Sequence, residues 1–187
     1  MLHIVGFSGS LRRHSFNSAL LRAAGAMMPI GATLETASIR AFPLYNGDDE
    51  AAHGIPADVA ALKDAIAAAD GLLIATPEYN NSVPGVAKNA IDWLSRPAAD
   101  IPRVFAGKPV AVMGASPSGF GTILSQNAWL PVLRTLGAEL WTGGRLMVSR
   151  ASGVFDTEGN IVDDRTNEGL RQFVQGFAVY VGERSGR

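Results

Sequence analysis

Short, largely apolar runs alternate along this chain with longer amphipathic segments rich in Ala and Leu. A strand with no polar face must be covered on both sides. A parallel sheet flanked by helices meets that condition, and helical crossovers between parallel strands produce the alternation. The apolar runs at Leu2–Phe7, Gly71–Thr76 and Lys108–Gly114 read as strands, as does Thr33–Ile39, and a fifth strand lies within Ala138–Val148. Helices are expected over Phe16–Met28, where Leu20, Leu21, Ala24 and Met27 recur at helical spacing, and over Ala57–Ala69, Pro84–Ser95, Thr122–Leu136 and Arg165–Val181. Arg40–Pro56, with its Pro, Gly and Asp residues, reads as a long loop. The pattern predicts an α/β doubly wound sandwich, a five-stranded parallel sheet with helices on both faces. At 187 residues it forms one domain over residues 1–187.

Ligands of such sheets sit outside the carboxyl ends of the strands, so the loops after the first, third and fourth strands carry the functional expectation. The first, GFSGSLRRHSFNSALL, surrounds Arg12 and Arg13 with Ser8, Ser10, Ser15, Asn17 and Ser18 just before a helix begins. Free backbone N–H groups, the positive end of the helix dipole, hydroxyl donors and a guanidinium form a cradle for a monophosphate. Neither G-x-G-x-x-G nor G-x-x-x-x-G-K-[ST] is present, so a pyrophosphate site and a P-loop are not supported. The same residues also read as a plain helix cap at Ser15 beside solvated arginines. The loop after the third strand, Thr76 to Gly85, combines Tyr79 with amides, hydroxyls and two prolines. It suits the face and polar edge of a flat heterocycle, or serves as an ordinary strand-to-helix connection. After the fourth strand, GASPSGFGT offers small residues that allow close backbone approach, or a plain Gly-rich turn.

Composition narrows the chemistry. With 16 basic and 17 acidic residues the net charge is -1, which leaves no electrostatic footprint for nucleic acid or an anionic membrane. No apolar run approaches the roughly 18 residues of a membrane span, and MLHIVGFSGS has no basic segment ahead of its apolar stretch. A cytoplasmic protein acting on small molecules is expected. The chain has no cysteine, so redox chemistry must come from a bound organic cofactor or a site without thiolates.

The segments GSLRRHSFN, PEYNNSVPGVAKNAIDW and GASPSGFG, in this order, resemble the NAD(P)H-dependent FMN reductase family, which includes quinone, chromate and azo-dye reductases; the likeness spans nearly the whole chain. It implies a flavodoxin-like fold, bound FMN, and NADPH or NADH as co-substrate. Hydride would pass to FMN and on to a quinone or another small acceptor, the two substrates using one exposed ring face in turn. Carried over by motif position, Ser10, Arg12, Ser15 and Asn17 hold the FMN phosphate, with Phe16 contributing its backbone. Pro77, Glu78, Tyr79 and Asn80 line the ring, and Ser116 and Gly119 close the ribityl or ring side. No side chain is expected to be catalytic, because the flavin carries the chemistry. A homodimer or homotetramer is a further implication. Many relatives carry Arg in a G-G-x-R segment where this chain has Gly121-Thr122-Ile123-Leu124, so Leu124 stands in the cation's place.

A flavodoxin-type electron carrier would share the fold and cofactor, but such carriers are strongly acidic and the charge of -1 argues against one. A non-enzymatic flavin-binding or partner-binding module differs from a reductase in failing to oxidise NAD(P)H. Asp156, Glu158, Asn160 and Asp163 read as a turn rather than a calcium loop, because Ile161 replaces the required glycine and Asn167 the required glutamate. His3, His14 and His53 are scattered, read as core, loop and surface residues, and no metal site is expected. Lys88 and Asp92 read as an exposed i, i+4 pair, and Trp93 and Trp129 as core or subunit-contact residues.

Overall fold

The computed structural model describes residues 1–185. Strands β1 (Leu2–Ser8), β2 (Ala32–Ala37), β3 (Gly71–Ala75), β4 (Pro109–Ala115), β5 (Glu139–Leu140) and β6 (Met147–Val148) alternate with helices. These are α1 (Phe16–Ala26), α2 (Gly47–His53), α3 (Ala57–Ala68), α4 (Gly85–Leu94), α5 (Ile101–Val104), α6 (Ile123–Thr135) and α7 (Asp164–Ser185). Every strand pair is parallel, in the order β2-β1-β3-β4-β5, with β6 also on β4. That is the flavodoxin-like order, with its switch point between β1 and β3.

The strand period of two assigns the layers. In β3, Leu72 and Ile74 pack with Val59, Leu62 and Ile66 of α3, with Ile91 and Trp93 of α4 and with Trp129 of α6. Leu73 and Ala75 face the opposite layer, with Leu20 and Leu21 of α1 and Phe173 and Phe177 of α7. Because both faces of β3 are buried, Leu72, Leu73 and Ile74 each contribute about 1.5–3 kcal/mol, which is why a polar residue in this strand would be costly. In α7, Leu170, Phe173, Val174, Phe177, Ala178 and Val181 repeat at helical spacing and are buried. Trp93 and Trp129 are core residues.

Several expectations change. β2 stops at Ala37 rather than Ile39, and α1 stops at Ala26 rather than Met28. Pro84 is the residue before α4, in extended conformation, rather than its first turn. Residues 40–56 are not all loop, since they contain α2. α2 buries no side chain, so it has no apolar periodicity. Its signals are local: Asn46 Oδ1 accepts from the Asp48 N–H at 3.0 Å, and three acidic residues follow in the first turn. Around it, the Tyr45 hydroxyl donates to Glu50 at 3.0 Å and Arg96 pairs with Glu50 at 2.9 Å. The Arg96 hydrogen bond holds the Glu50 carboxyl below its ordinary range. The fifth strand is split into β5 and β6 by Trp141–Leu146, where the Trp141 ring turns onto Phe173 and Phe177. His3 is half-buried at the sheet rim, 3.0 Å from Glu35, and is not a core residue. Lys88 and Asp92 form the exposed pair, at 2.6 Å. Among the described residues no helix is long and apolar enough to cross a membrane.

Candidate functional site

The loops after β1, β3 and β4 meet at the carboxyl edge of the sheet. Gly9 begins the first, its N–H donating to the Ala75 carbonyl at 2.8 Å. A Cβ there would stand 3.0 Å from Ala87 Cβ and 3.2 Å from Pro77 Cδ, so glycine lets this loop lie directly against the one after β3. Ser10 is buried; its Oγ accepts from the Arg12 N–H at 3.4 Å, leaving its own proton free. Ser15 is the N-cap of α1, with Oγ accepting from the Ser18 N–H at 3.2 Å. The first turn of α1 contains no acidic residue, and among the described residues the N–H groups of Phe16 and Asn17 have no acceptor. The Phe16 ring stacks on Phe155 at 5.5 Å, fixing the helix start from the outside. Arg12 is exposed and unpaired among the described residues.

Asn17 is placed differently from a simple phosphate ligand. Its Nδ2 donates to the Ala115 carbonyl at 2.8 Å, its Oδ1 accepts from the Ala115 N–H at 2.9 Å, and its side chain is buried. The amide therefore ties the start of α1 to the end of β4, while the backbone N–H stays free toward the cradle.

The loop after β3 is a two-residue hairpin. Tyr79 and Ser82 exchange backbone hydrogen bonds of 3.2 and 3.1 Å, and Asn80 and Asn81 take φ values of 50° and 60° between them. Two successive left-handed residues are the signature of a type I′ turn, and asparagine tolerates that region better than other side chains. Asn80 and Tyr79 are exposed at the tip and Pro77 is buried at its base.

Glu78 is turned toward protein. Its Oε2 accepts from the N–H groups of Leu124 and Ser125 at 2.8 and 3.1 Å, capping α6, whose own N-cap, Thr122, accepts no capping bond from the helix backbone. Beneath it, buried Thr76 Oγ1 donates to the Pro77 carbonyl at 2.9 Å, meets Ser125 Oγ at 2.9 Å and accepts from Trp129 Nε1 at 3.1 Å. With Thr76 donating to Pro77 and Trp129 donating to Thr76, the Ser125 hydroxyl is left as donor in the shared pair. The loops after β3 and β4 are thus held as one unit through α6. Residue type does not mark Thr76, Ser125 and Trp129 as site residues, because their partners lie 49 and 53 positions apart, beyond any local pattern. Glu78→Ala removes the acceptor of two helix N–H groups and is expected to cost about 1–2 kcal/mol, lowering the thermal midpoint by about 2–8 °C. Glu78→Gln, which keeps one acceptor, should recover part of it. An unchanged midpoint in Glu78→Ala, measured by calorimetry on flavin-free protein, would show that the cap contributes nothing.

The loop after β4 is braced internally. Ser116 is buried, its Oγ donating to Ser118 Oγ at 3.0 Å and accepting from the Ser118 N–H at 3.2 Å. Gly119 is open, with no atom within 4 Å of the position a Cβ would take. Phe120, Ile123 and Leu124 follow as exposed apolar residues, so Leu124 presents an isobutyl group at the surface.

The arrangement offers anion donors at the start of α1 and a stiffened shelf at the ends of β3 and β4. It can hold a flat phosphorylated heterocycle across the edge of the sheet. Over 180 residues, 96% of this chain and 95% of the other, the sequence is 42% identical to an NAD(P)H-dependent FMN reductase from Pseudomonas aeruginosa. It is 38% identical over 183 residues, 98% of each chain, to a 2-hydroxy-1,4-benzoquinone reductase from Burkholderia sp. Among solved structures it is similar to FerB, a flavoenzyme NAD(P)H:(acceptor) oxidoreductase from Paracoccus denitrificans, with a TM-score of 0.87, 31% identity and coverage of 98% of this chain and 99% of that one. The family profile described as NADPH-dependent FMN reductase matches residues 2–153, the stretch that contains all three loops. The chain belongs to the NADPH-dependent FMN reductase family.

Proposed function

We propose that this protein holds FMN across the ends of β1, β3 and β4 and is an NAD(P)H oxidoreductase whose electron acceptor is a quinone or a similar small molecule. The observation that carries the reading is the donor set at the start of α1. Among the described residues, two N–H groups without acceptors, two hydroxyls with free protons and one unpaired guanidinium lie on the loop and first turn that open α1, a stretch that itself contains no acidic residue. That set is suited to a terminal phosphate.

Ser10, Arg12 and Ser15 donate to the phosphate with the N–H groups of Phe16 and Asn17. Pro77, Tyr79 and Asn80 border the ring, Glu78 keeps that border in register with α6, and Ser116 and Gly119 form the opposite wall. Bound FMN supplies the two-electron chemistry, taking hydride from NADPH or NADH and releasing electrons to the acceptor. The protein's part is to orient the ring, leave one face open to both substrates and keep donors fixed at its polar edge. The exposed apolar residues Tyr79, Phe120, Ile123 and Leu124 beside the shelf support a homodimer or homotetramer in which a second copy covers them. Consumption of NAD(P)H supports a cytoplasmic location.

Purified protein should be yellow, release FMN on denaturation and oxidise NADPH or NADH when a quinone is added. Protein that stays colourless after incubation with FMN would sink the reading. Gly119→Ala gives a finer test. Because a Cβ meets no protein atom there, the stability of the flavin-free protein should not change. FMN affinity should fall about tenfold if the ligand approaches that backbone closely. Equal FMN affinity in both proteins would remove Gly119 from the site.

A further inference from the structure

A cavity of about 710 Å³ runs beside the cradle, between the flank of α1 and the end of edge strand β2. Arg12, Arg13, Arg22 and Arg40 line it with the hydroxyl residues Ser18 and Ser38, and no carboxylate residue contributes to the lining. Elsewhere Arg96, Arg103, Arg171 and Arg184 each pair with an acidic side chain. Here none of the four does so among the described residues. Arg40 donates to the Leu11 carbonyl, and Arg22 donates to the carbonyls of Glu158 and Gly159 at 3.1 and 3.0 Å. Those neutral acceptors hold the guanidinium groups in place without cancelling their charge. The guanidinium groups of Arg12 and Arg13 have no acceptor among the described residues.

One FMN phosphate does not account for this. It lies on the first turn of α1, whereas the cavity reaches Gly25, nine residues or about 13 Å further along the helix. Four guanidinium groups without an ion pair among the described residues also exceed the charge of one phosphate of about -2, even with Asp156 and Glu158 beside Arg13 and Arg22 on the far flank of α1. The floor is apolar, with Leu21, Gly25, Leu34 and Ile39, and Gly25 leaves the helix surface flat. Cations at the rim and a flat apolar floor suit a nucleotide, with its base below and phosphates above.

We propose that this groove binds the phosphate-bearing adenosine half of NADPH, and that its arginines select NADPH over NADH through the 2′-phosphate. The inference rests on the nicotinamide-dependent reading above. β2 and β3 flank β1, two strand spacings or about 10 Å apart, so a dinucleotide with its nicotinamide over the β3 loop reaches the groove.

Calorimetric titration of 2′,5′-ADP into FMN-loaded protein tests it, with 5′-ADP and inorganic phosphate as comparisons. 2′,5′-ADP should bind about tenfold more tightly than 5′-ADP, and Arg13→Gln with Arg40→Gln together should weaken it about a hundredfold. FMN affinity should stay within about twofold in that variant, and the KM for NADPH should rise relative to that for NADH. Arg13→Gln alone, which breaks no contact within the chain, serves if the double variant is unstable, with about a tenfold loss expected. Equal binding of 2′,5′-ADP by parent and variant, or competition by inorganic phosphate at equal concentration, overturns the proposal. Failure to take up FMN counts against the flavin reading instead, and the 2′,5′-ADP titration on flavin-free protein then decides the groove separately.

Discussion

Gly114→Ala is expected to lower the thermal midpoint by about 10 °C and to weaken FMN binding in whatever protein still folds. A Cβ at this position would lie 2.2 Å from the Thr76 carbonyl oxygen and 2.2 Å from Thr122 Oγ1. Overpacking usually costs about 1–3 kcal/mol, and for a chain of this length each kcal/mol moves the midpoint by about 2–4 °C. The upper end applies because one obstacle is main chain held from both sides. The Thr76 N–H donates to the Met113 carbonyl at 2.8 Å, and the Gly114 N–H donates to the Leu146 carbonyl at 3.0 Å. Thr122 is equally constrained, being fully buried, with Oγ1 accepting from Gln126 at 3.0 Å. The displaced atoms begin the loop after β3 and end the loop after β4, so the strain reaches both walls of the ring shelf together. Calorimetry on flavin-free protein and a fluorescence titration with FMN would measure the two effects. A native midpoint would mean that the end of β4 moves aside freely, and the shelf could not then be regarded as rigid.

Features decided by neighbours in sequence were legible before the fold was known, and features decided by neighbours in space were not. β3 announced itself because a strand buried on both faces is apolar throughout. The Asn80-Asn81 pair is a turn signal of the same local kind. α2 escaped because a helix that buries nothing has no periodicity to detect, and only its cap and acidic first turn were visible. The split of the fifth strand follows from the Trp141 ring turning onto α7, a contact 32 and 36 positions away. Glu78 could be placed at the site by its motif, but its bonds to Leu124 and Ser125 span 46 and 47 residues, so its role as a cap could not be read from residue type. His3 shows the converse error: an apolar run suggested burial, yet β1 begins at the rim, where Glu35 of β2 meets it. The motifs mark the three loops, whereas the long-range contacts of Asn17 and Glu78 show these side chains holding the loops in place.

Asn17→Asp should separate those two kinds of role, with a loss of about 3 kcal/mol at neutral pH that is recovered in acid. The parent amide matches Ala115 donor to acceptor and acceptor to donor, at 3% exposure. A carboxylate keeps the acceptor but sets a second oxygen against the Ala115 carbonyl, leaving that carbonyl unsatisfied and a charge buried, which costs about 1–3 kcal/mol or more. A negative charge in the first turn of α1 gains about 0.3–1 kcal/mol from the helix dipole, too little to reverse the sign. Burial and the facing carbonyl raise the folded-state pKa of the new Asp above its unfolded value near about 3.9, and the protonated acid can again donate to Ala115. The penalty is therefore complete above the raised folded-state pKa, shrinks as pH falls through it, and vanishes below the unfolded value. Asn17→Leu, with no titrating group, should be destabilised equally at all pH values where the parent is stable. FMN affinity should fall in both variants, and further in Asn17→Asp, where the carboxylate repels the phosphate. Denaturant unfolding from about pH 4 to 8 is the measurement. If the difference between Asn17→Asp and parent proved independent of pH, the amide would not be the bridge between α1 and β4, and the cradle would have to be held together by Ser15 and the Phe16–Phe155 stack alone.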